Sequence, residues 1–473
     1  MSRTIVGGLA EFSAAARENL PDPVLEEAER VLLDSLGCAV ASVGERGAEL
    51  GVRYGLALGS GCEEATILGT PFRSSLVGAA FANAELINAL DQDAVLPPGH
   101  VAPYVIPGAL AAAEVIGGSG LDLAAAVAVA HEISYRIGKS MDYLRDISDG
   151  VVKLPRVTGY ASTIFGATAA VAVVRGYEQS IIANALGIAG STSPTSSHRA
   201  WMMHAPSTTI KYQLPGLFPQ TALMAATLAE YGHRGDQRIL DDGEYGWPAF
   251  IGTTRWDTGG LLEGLGTEWR FLREQAYKPY PHCRIMHGLF DVLLQLVEDQ
   301  DLSVHEIDAI RGWGESFVMQ PVWVTQEITD VRDAQFSMTH GLAVAAHRIA
   351  PGKEWQSPEL VFSDSVLDLM KRTTYAPHPD YAAALNDHPS ARLSRIEIDA
   401  RGDTFARDSH FPKGVASPDP TTFMTNDELV SKFRHNVEGV LRDQAAEAVI
   451  ESVFHLDAID DIRGLLQLMR SRG

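Results

Sequence analysis

Through most of the first 265 positions, apolar residues recur at helical intervals. Between Pro21 and Gly37 they fall at Val24, Leu25, Ala28, Val31, Leu32 and Leu36, with Asp22 placed as the cap. A second helix is predicted over Phe81–Leu90 and runs into an acidic cluster at Asp91 and Asp93. Pro107–Ile116, Leu121–Ile137 and Ser162–Val174 are rich in Ala, Leu and Val, side chains that let helices pack closely in bundles. Gln220–Tyr231 is a further apolar helix, closed by Gly232. Few segments in this half alternate with period two.

The pattern changes after Trp269. Met286–Val297 still has helical spacing, but Ile307–Trp313 reads as a short strand. Leu393–Ala400 alternates apolar and polar residues and meets a turn at Arg401–Gly402–Asp403, which signals a hairpin. Helical signals return after a Pro/Ser-rich turn at Ser417–Pro420. There Thr425 and Glu428 form a capping-box pattern ahead of Leu429, Phe433 and Val437. The expected fold is mostly α. A large all-helical domain is formed by both chain ends (1–265 and 415–473), with a smaller α+β lid domain between them (266–414).

Composition narrows the function classes. The 473 residues include 38 Lys+Arg and 60 Asp+Glu, a formal net charge of −22. That balance disfavours a nucleic-acid partner, which needs a basic face, and an anionic membrane surface. A local cluster of cations can still bind an anion within a cleft. Cys38, Cys62 and Cys283 are far apart and form no C-x-x-C pair, so neither a disulfide framework nor a cluster site is expected. With no signal-peptide layout and no apolar run long enough to span a bilayer, the expected location is cytoplasmic.

Three segments could carry chemistry. Asp91-Gln-Asp93-Ala-Val-Leu-Pro-Pro-Gly-His100 places two carboxylates and an imidazole in a polar loop between apolar helices, an acid–base set. Read alone, it fits a helix-end cap with a solvated histidine better than an acid–base set, because loops carry such residues routinely. Lys211 lies ahead of an apolar helix, where a cation adds to the positive helix end and suits a carboxylate; the alternative is a lysine on the surface. Upstream of it, His198, Arg199 and His204 supply further donors or surface groups. Lys278-Pro-Tyr-Pro-His282-Cys-Arg284-Ile-Met-His287 concentrates cations at the domain boundary, where clefts form, with a helix expected to start near His282. It resembles an anion cradle in which Arg284 binds a carboxylate bidentately, or else a rigid linker. Phosphate-binding loops, the H-E-x-x-H zinc motif and the G-x-S-x-G elbow are absent from the sequence.

Taken together, these segments resemble the MmgE/PrpD family. The likeness continues in Leu33-Asp-Ser-Leu-Gly37, Val105–Glu114, Phe165-Gly-Ala-Thr-Ala-Ala170, Ile239–Gly246, Lys413-Gly414 and Asp427-Glu-Leu429…Lys432-Phe433, in family order over nearly the whole chain. The resemblance implies a homodimer and a cleft site that needs neither metal nor cofactor and takes a small carboxylate. The family's catalytic positions fall on Asp91, His100, Lys211 and Lys278. Tyr160, Arg199, His282, Cys283, Arg284 and His287 are expected to contact substrate. Val95, Ala161, Leu214 and Cys283 stand where the family carries more polar residues, which leaves fewer donors for a tricarboxylate.

The implied reaction is that of a hydro-lyase. A proton α to a carboxylate is removed and water eliminated from a hydroxy-polycarboxylate of the 2-methylcitrate type. Epimerisation, isomerisation, decarboxylation and an inactive ligand-binding protein are the alternatives. An imidazole suits the proton transfer because it titrates near neutrality, and lysines at the carboxylate would stabilise the enolate-like charge.

Overall fold

The computed structural model describes residues 4–471, apart from Asn19, residues 143–146, 149–150, 153 and 158, and residues 196–197. The chain is mostly α-helical, as its periodicity predicts. The Ala-rich segments form the centre. Gly120–Ser140 runs along Thr163–Val174, and Ala102–Ile116 packs on both Leu76–Asn88 and Thr163–Val174. Their approach is close: a methyl on Gly166 would sit 2.5 Å from the Ala130 carbonyl oxygen. Leu217–Glu230 and Gln179–Ser191 close the bundle.

Helix ends differ from those expected, for local reasons. Asp22 does not cap; Pro21 is the N-cap and Asp22 lies in the first turn of Asp22–Ala41. Pro107 lies inside Ala102–Ile116, whose true start has Pro103 in the first turn, where no backbone donor is missed. Ser75 caps Leu76–Asn88 by accepting from the Gly78 amide, an apolar-looking start that hides a capping serine. The helix expected near His282 begins as a tight turn at Arg284–Met286 and continues as His287–Asp299.

The mixed sheet has the strand order Asp403–Ser409, Ser394–Ala400, Ile307–Gly314, Thr373–Pro377. The first three are antiparallel, and Thr373–Pro377 is parallel to Ile307–Gly314. The predicted hairpin is present; Arg401 and Gly402 carry its turn at φ +57° and +85°. Among its described residues, the region expected to be all-helical also holds three two-residue strand pairs, one of them Val95–Leu96 with Gly99–His100.

The last helices return to the beginning of the chain. Asn426–Val437, with the predicted Thr425/Glu428 capping box, packs on Asp22–Ala41, where Phe433 covers Gly37. Lys432 donates to Asp34 at 2.6 Å and to the Gln92 carbonyl at 2.7 Å, while Asp34 accepts from the Ala94 amide at 3.0 Å. The tail is thereby tied to the segment holding Asp91 and His100. Among the described residues no helix is long and apolar enough to cross a membrane.

Candidate active site

The Asp91–His100 segment is buried and is not a solvated loop. Its tip is the short hairpin that presents His100, and the amide and carbonyl of Val95 pair with Ala276 at 2.8 and 2.9 Å. That pairing sets the hairpin beside the strand-like segment carrying Lys278. Gln335 and Gln356 donate to the carbonyls of Ala89 and Leu90, each at 2.9 Å. Asp91 has φ +55° and Tyr212 φ +50°. Neither is glycine, so both backbones are held in a costly region, as often found at functional sites.

Asp91 is the node of the cluster. It is fully buried and accepts from Lys278 at 2.8 Å and Lys211 at 3.1 Å, with His100 Nε2 3.4 Å away. Burial alone would raise its carboxyl, but Lys211, Lys278 and His100 outweigh it and hold the group well below the usual carboxylate range. Burial also depresses Lys211, to about 8, against the pull of Asp91. Asp93 lies on the other side of His100, 2.7 Å from Nδ1, and takes a second hydrogen bond from Asn88 at 3.1 Å. A carboxylate only accepts, so Nδ1 carries the proton and Nε2 is left to exchange one. This is the orienting geometry of a carboxylate–histidine pair.

His100 forms part of the wall of a cleft of about 110 Å³. The cleft opens where the helical bundle meets the segments around Cys283, Trp323 and Arg392. Tyr212 lies against the His100 ring at 4.6 Å between centroids, and Tyr160 stacks on Tyr212 at 5.5 Å. His198 meets Tyr160 edge-on at 5.2 Å. Burial, then the charges of His100 and Arg199, push His198 down to about 3, so its ring is neutral. The Cys283 thiol is 3.9 Å from the Tyr212 hydroxyl, and burial raises it, so it is a thiol and not a thiolate.

Several expected roles require correction. Lys211 does not serve a helix end; its ammonium donates to Asp91, the Ala89 carbonyl (3.2 Å) and Gln335 (2.9 Å), which occupies all three donors. Lys278 is fully buried on Asp91. Neither lysine is on the cleft wall, and both donate to Asp91. The Lys278–His287 cradle divides: Cys283 and Arg284 reach the wall, whereas His282 and His287 turn inward. His282 packs edge-on against Phe290 and Trp355, and burial lowers it to about 3. His287 sits beside the His282 carbonyl and Arg284, each at 3.1 Å. Arg199 lies on the short helix His198–Met202 but is not a wall residue; its neighbour His198 is. His204 is exposed.

Of the positions that depart from the family pattern, Val95 and Cys283 line the cleft and Ala161 and Leu214 do not. Sequence reading gave no site role to Tyr212, Trp323 or Arg392. Tyr212 adjoins Lys211 and could have been suspected; the other two had no local signal.

Among the described residues, a mainly helical chain with a mixed sheet brings a carboxylate-held imidazole to the wall of a cleft. Residues 8–257 match the MmgE/PrpD N-terminal domain and residues 280–456 the MmgE/PrpD C-terminal domain. The chain belongs to the MmgE/PrpD family. It is 24% identical to a cis-aconitate decarboxylase of Aspergillus terreus, covering 97% of this chain and 94% of that protein. It is 23% identical to the cis-aconitate decarboxylase-like protein oryM of Aspergillus oryzae, over 95% and 94%. It is also 24% identical to the cis-aconitate decarboxylase of Mus musculus, over 96% and 90%.

Proposed function

We propose that the chain is a lyase that eliminates water from a 3-hydroxycarboxylate, with His100 moving the proton. The observation that carries this reading is the His100 ring, fixed by Asp93 at 2.7 Å on one nitrogen and reaching the cleft. In the step, Nε2 takes the proton from the carbon next to the carboxylate. The released electron pair forms the carbon–carbon double bond, and the β-hydroxyl leaves as water on receiving the proton back from Nε2, which restores the neutral imidazole. Asp93 offsets the charge of the imidazolium. Asp91, held ionised by its two lysines, stands 3.4 Å from Nε2, where its fixed charge favours the imidazolium once the proton is taken.

The test is to supply purified protein with 3-hydroxycarboxylates, 2-methylcitrate among them, and to follow the ultraviolet absorbance of the unsaturated product. Turnover that His100→Asn abolishes is expected; turnover that survives that change overturns the assignment. A second reading is decarboxylation, favoured by the likeness to cis-aconitate decarboxylases and by the aromatic wall, since a desolvated carboxylate loses carbon dioxide more readily. There the carbon–carbon bond breaks, carbon dioxide departs, and His100 protonates the carbon left behind. Carbon dioxide release from cis-aconitate distinguishes the two.

A further inference from the structure

The cleft wall indicates what kind of carboxylate fits. Its charged members are Arg284, Arg392 and Glu274. Glu274 is engaged by Lys139 at 3.0 Å and by the Tyr135 hydroxyl at 2.6 Å, so its charge is answered from behind the wall. The two lysines that the family resemblance would aim at substrate are bound to Asp91. Most of the remaining surface is apolar or aromatic, with Val95, Met202, Phe317 and Trp323 joining Tyr160 and Tyr212. Three carboxylates brought into such a space would meet two guanidinium groups, and the surplus charge would lie against desolvating rings. One carboxylate on an apolar body satisfies both halves of the wall.

We propose that the substrate carries a single acid group, seated by Arg284 and Arg392, and an aromatic or branched apolar substituent that lies among Tyr160, Tyr212, Phe317 and Trp323. The proposal rests on the reading of His100 as the proton-transfer group only for where the acid must sit; the recognition itself is independent of turnover. Neutral His198, its charge suppressed by burial, adds no cation for a second acid. Arg284 and Arg392 are half-buried and anchored by backbone carbonyls, Arg284 to Lys413 at 2.8 Å and Arg392 to Pro389 at 2.9 Å, so they are pre-placed at the wall.

Binding of two inert probes to the full chain tests this. One is 3-phenylpropanoate, which has no hydroxyl to lose; the other is propane-1,2,3-tricarboxylate. Isothermal titration of the wild type should show the phenyl acid binding at least tenfold tighter. Trp323→Leu should weaken it at least fivefold while leaving the tricarboxylate within twofold, and Arg392→Gln, which removes a guanidinium open to either acid, should weaken both probes. Tighter binding of the tricarboxylate overturns the proposal, as does equal binding of both probes or a phenyl acid indifferent to both variants. Tight phenyl-acid binding by a protein whose turnover does not depend on His100 would sink the catalytic reading and leave this one standing. His100-dependent turnover of a tricarboxylate, bound tighter than the phenyl acid, would do the reverse.

Discussion

Replacing Asp91 by Asn removes the charge on which Lys211, Lys278 and His100 converge. At the effective dielectric that reproduces protein titrations, about 20, unit charges at 2.8 and 3.1 Å attract by about 6 and about 5 kcal/mol before desolvation. Lys211 keeps the Ala89 carbonyl and Gln335 as partners, but for Lys278, fully buried, Asp91 is the charged partner. Breaking a buried pair from one side costs about 3–5 kcal/mol, because the remaining charge stays desolvated. Asp91→Asn should therefore destabilise the fold by about 4 kcal/mol. Lys278→Met should cost less, about 2 kcal/mol, since Asp91 retains Lys211. The double variant should fall well short of the sum of the two, with a coupling of about 2 kcal/mol. Urea unfolding followed by circular dichroism, with the slope compared among variants, measures all three. Strict additivity, or an Asp91→Asn protein within 1 kcal/mol of wild type, would refute the account of Asp91 as the node.

His100→Asn should lower turnover of any accepted substrate by about 10²–10⁴-fold, read from steady-state kinetics, while inert-probe affinity changes little. Glu85 accepts from the Gly216 amide at 2.9 Å, and burial pushes its carboxyl up to about 7 from 4.5. The folded state thus holds a proton that the unfolded chain releases, so this contribution is complete below pH 4.5 and is lost as pH rises towards 7. Glu85→Gln should raise the melting temperature at pH 8, by about 2 kcal/mol of stability, and leave it nearly unchanged at pH 4.5. Gly414 has φ +90°, and a methyl there would collide with the Tyr277 carbonyl oxygen, a backbone atom that cannot rotate away. Gly414→Ala should cost about 3 kcal/mol in thermal unfolding and should also lower turnover, because the Tyr277 amide bonded to Gly414 at 2.8 Å immediately precedes Lys278.

The Ala-rich helices were legible because their apolar periodicity is long and unbroken. Their ends were not, where a proline inside Ala102–Ile116 imitates a first turn. Thr373–Pro377 went unread: this sheet-edge strand shows little alternating burial and ends in proline. Asp91, His100, Lys211 and Lys278 could be named from the sequence, and they do converge. The direction of the two ammonium groups could not be read, since their partner lies 120 and 187 residues away. His282 and His287 had the same local signature as Cys283 and Arg284. Tertiary packing decides which face inward: His282 meets Phe290 and Trp355, and His287 meets Tyr280 and Phe290. Arg392 and Trp323 reach the cleft through tertiary folding alone.

The central claim is that the His100 imidazole moves a proton at the carbon beside a carboxylate in this cleft. Proton exchange in heavy water, followed by NMR over a panel of aryl and alkyl carboxylates, tests it most directly. The account predicts deuterium at the α-carbon of at least one member with wild-type protein, and at least a hundredfold slower exchange with His100→Asn. Exchange equally fast in the two proteins, or none across the panel, would contradict it.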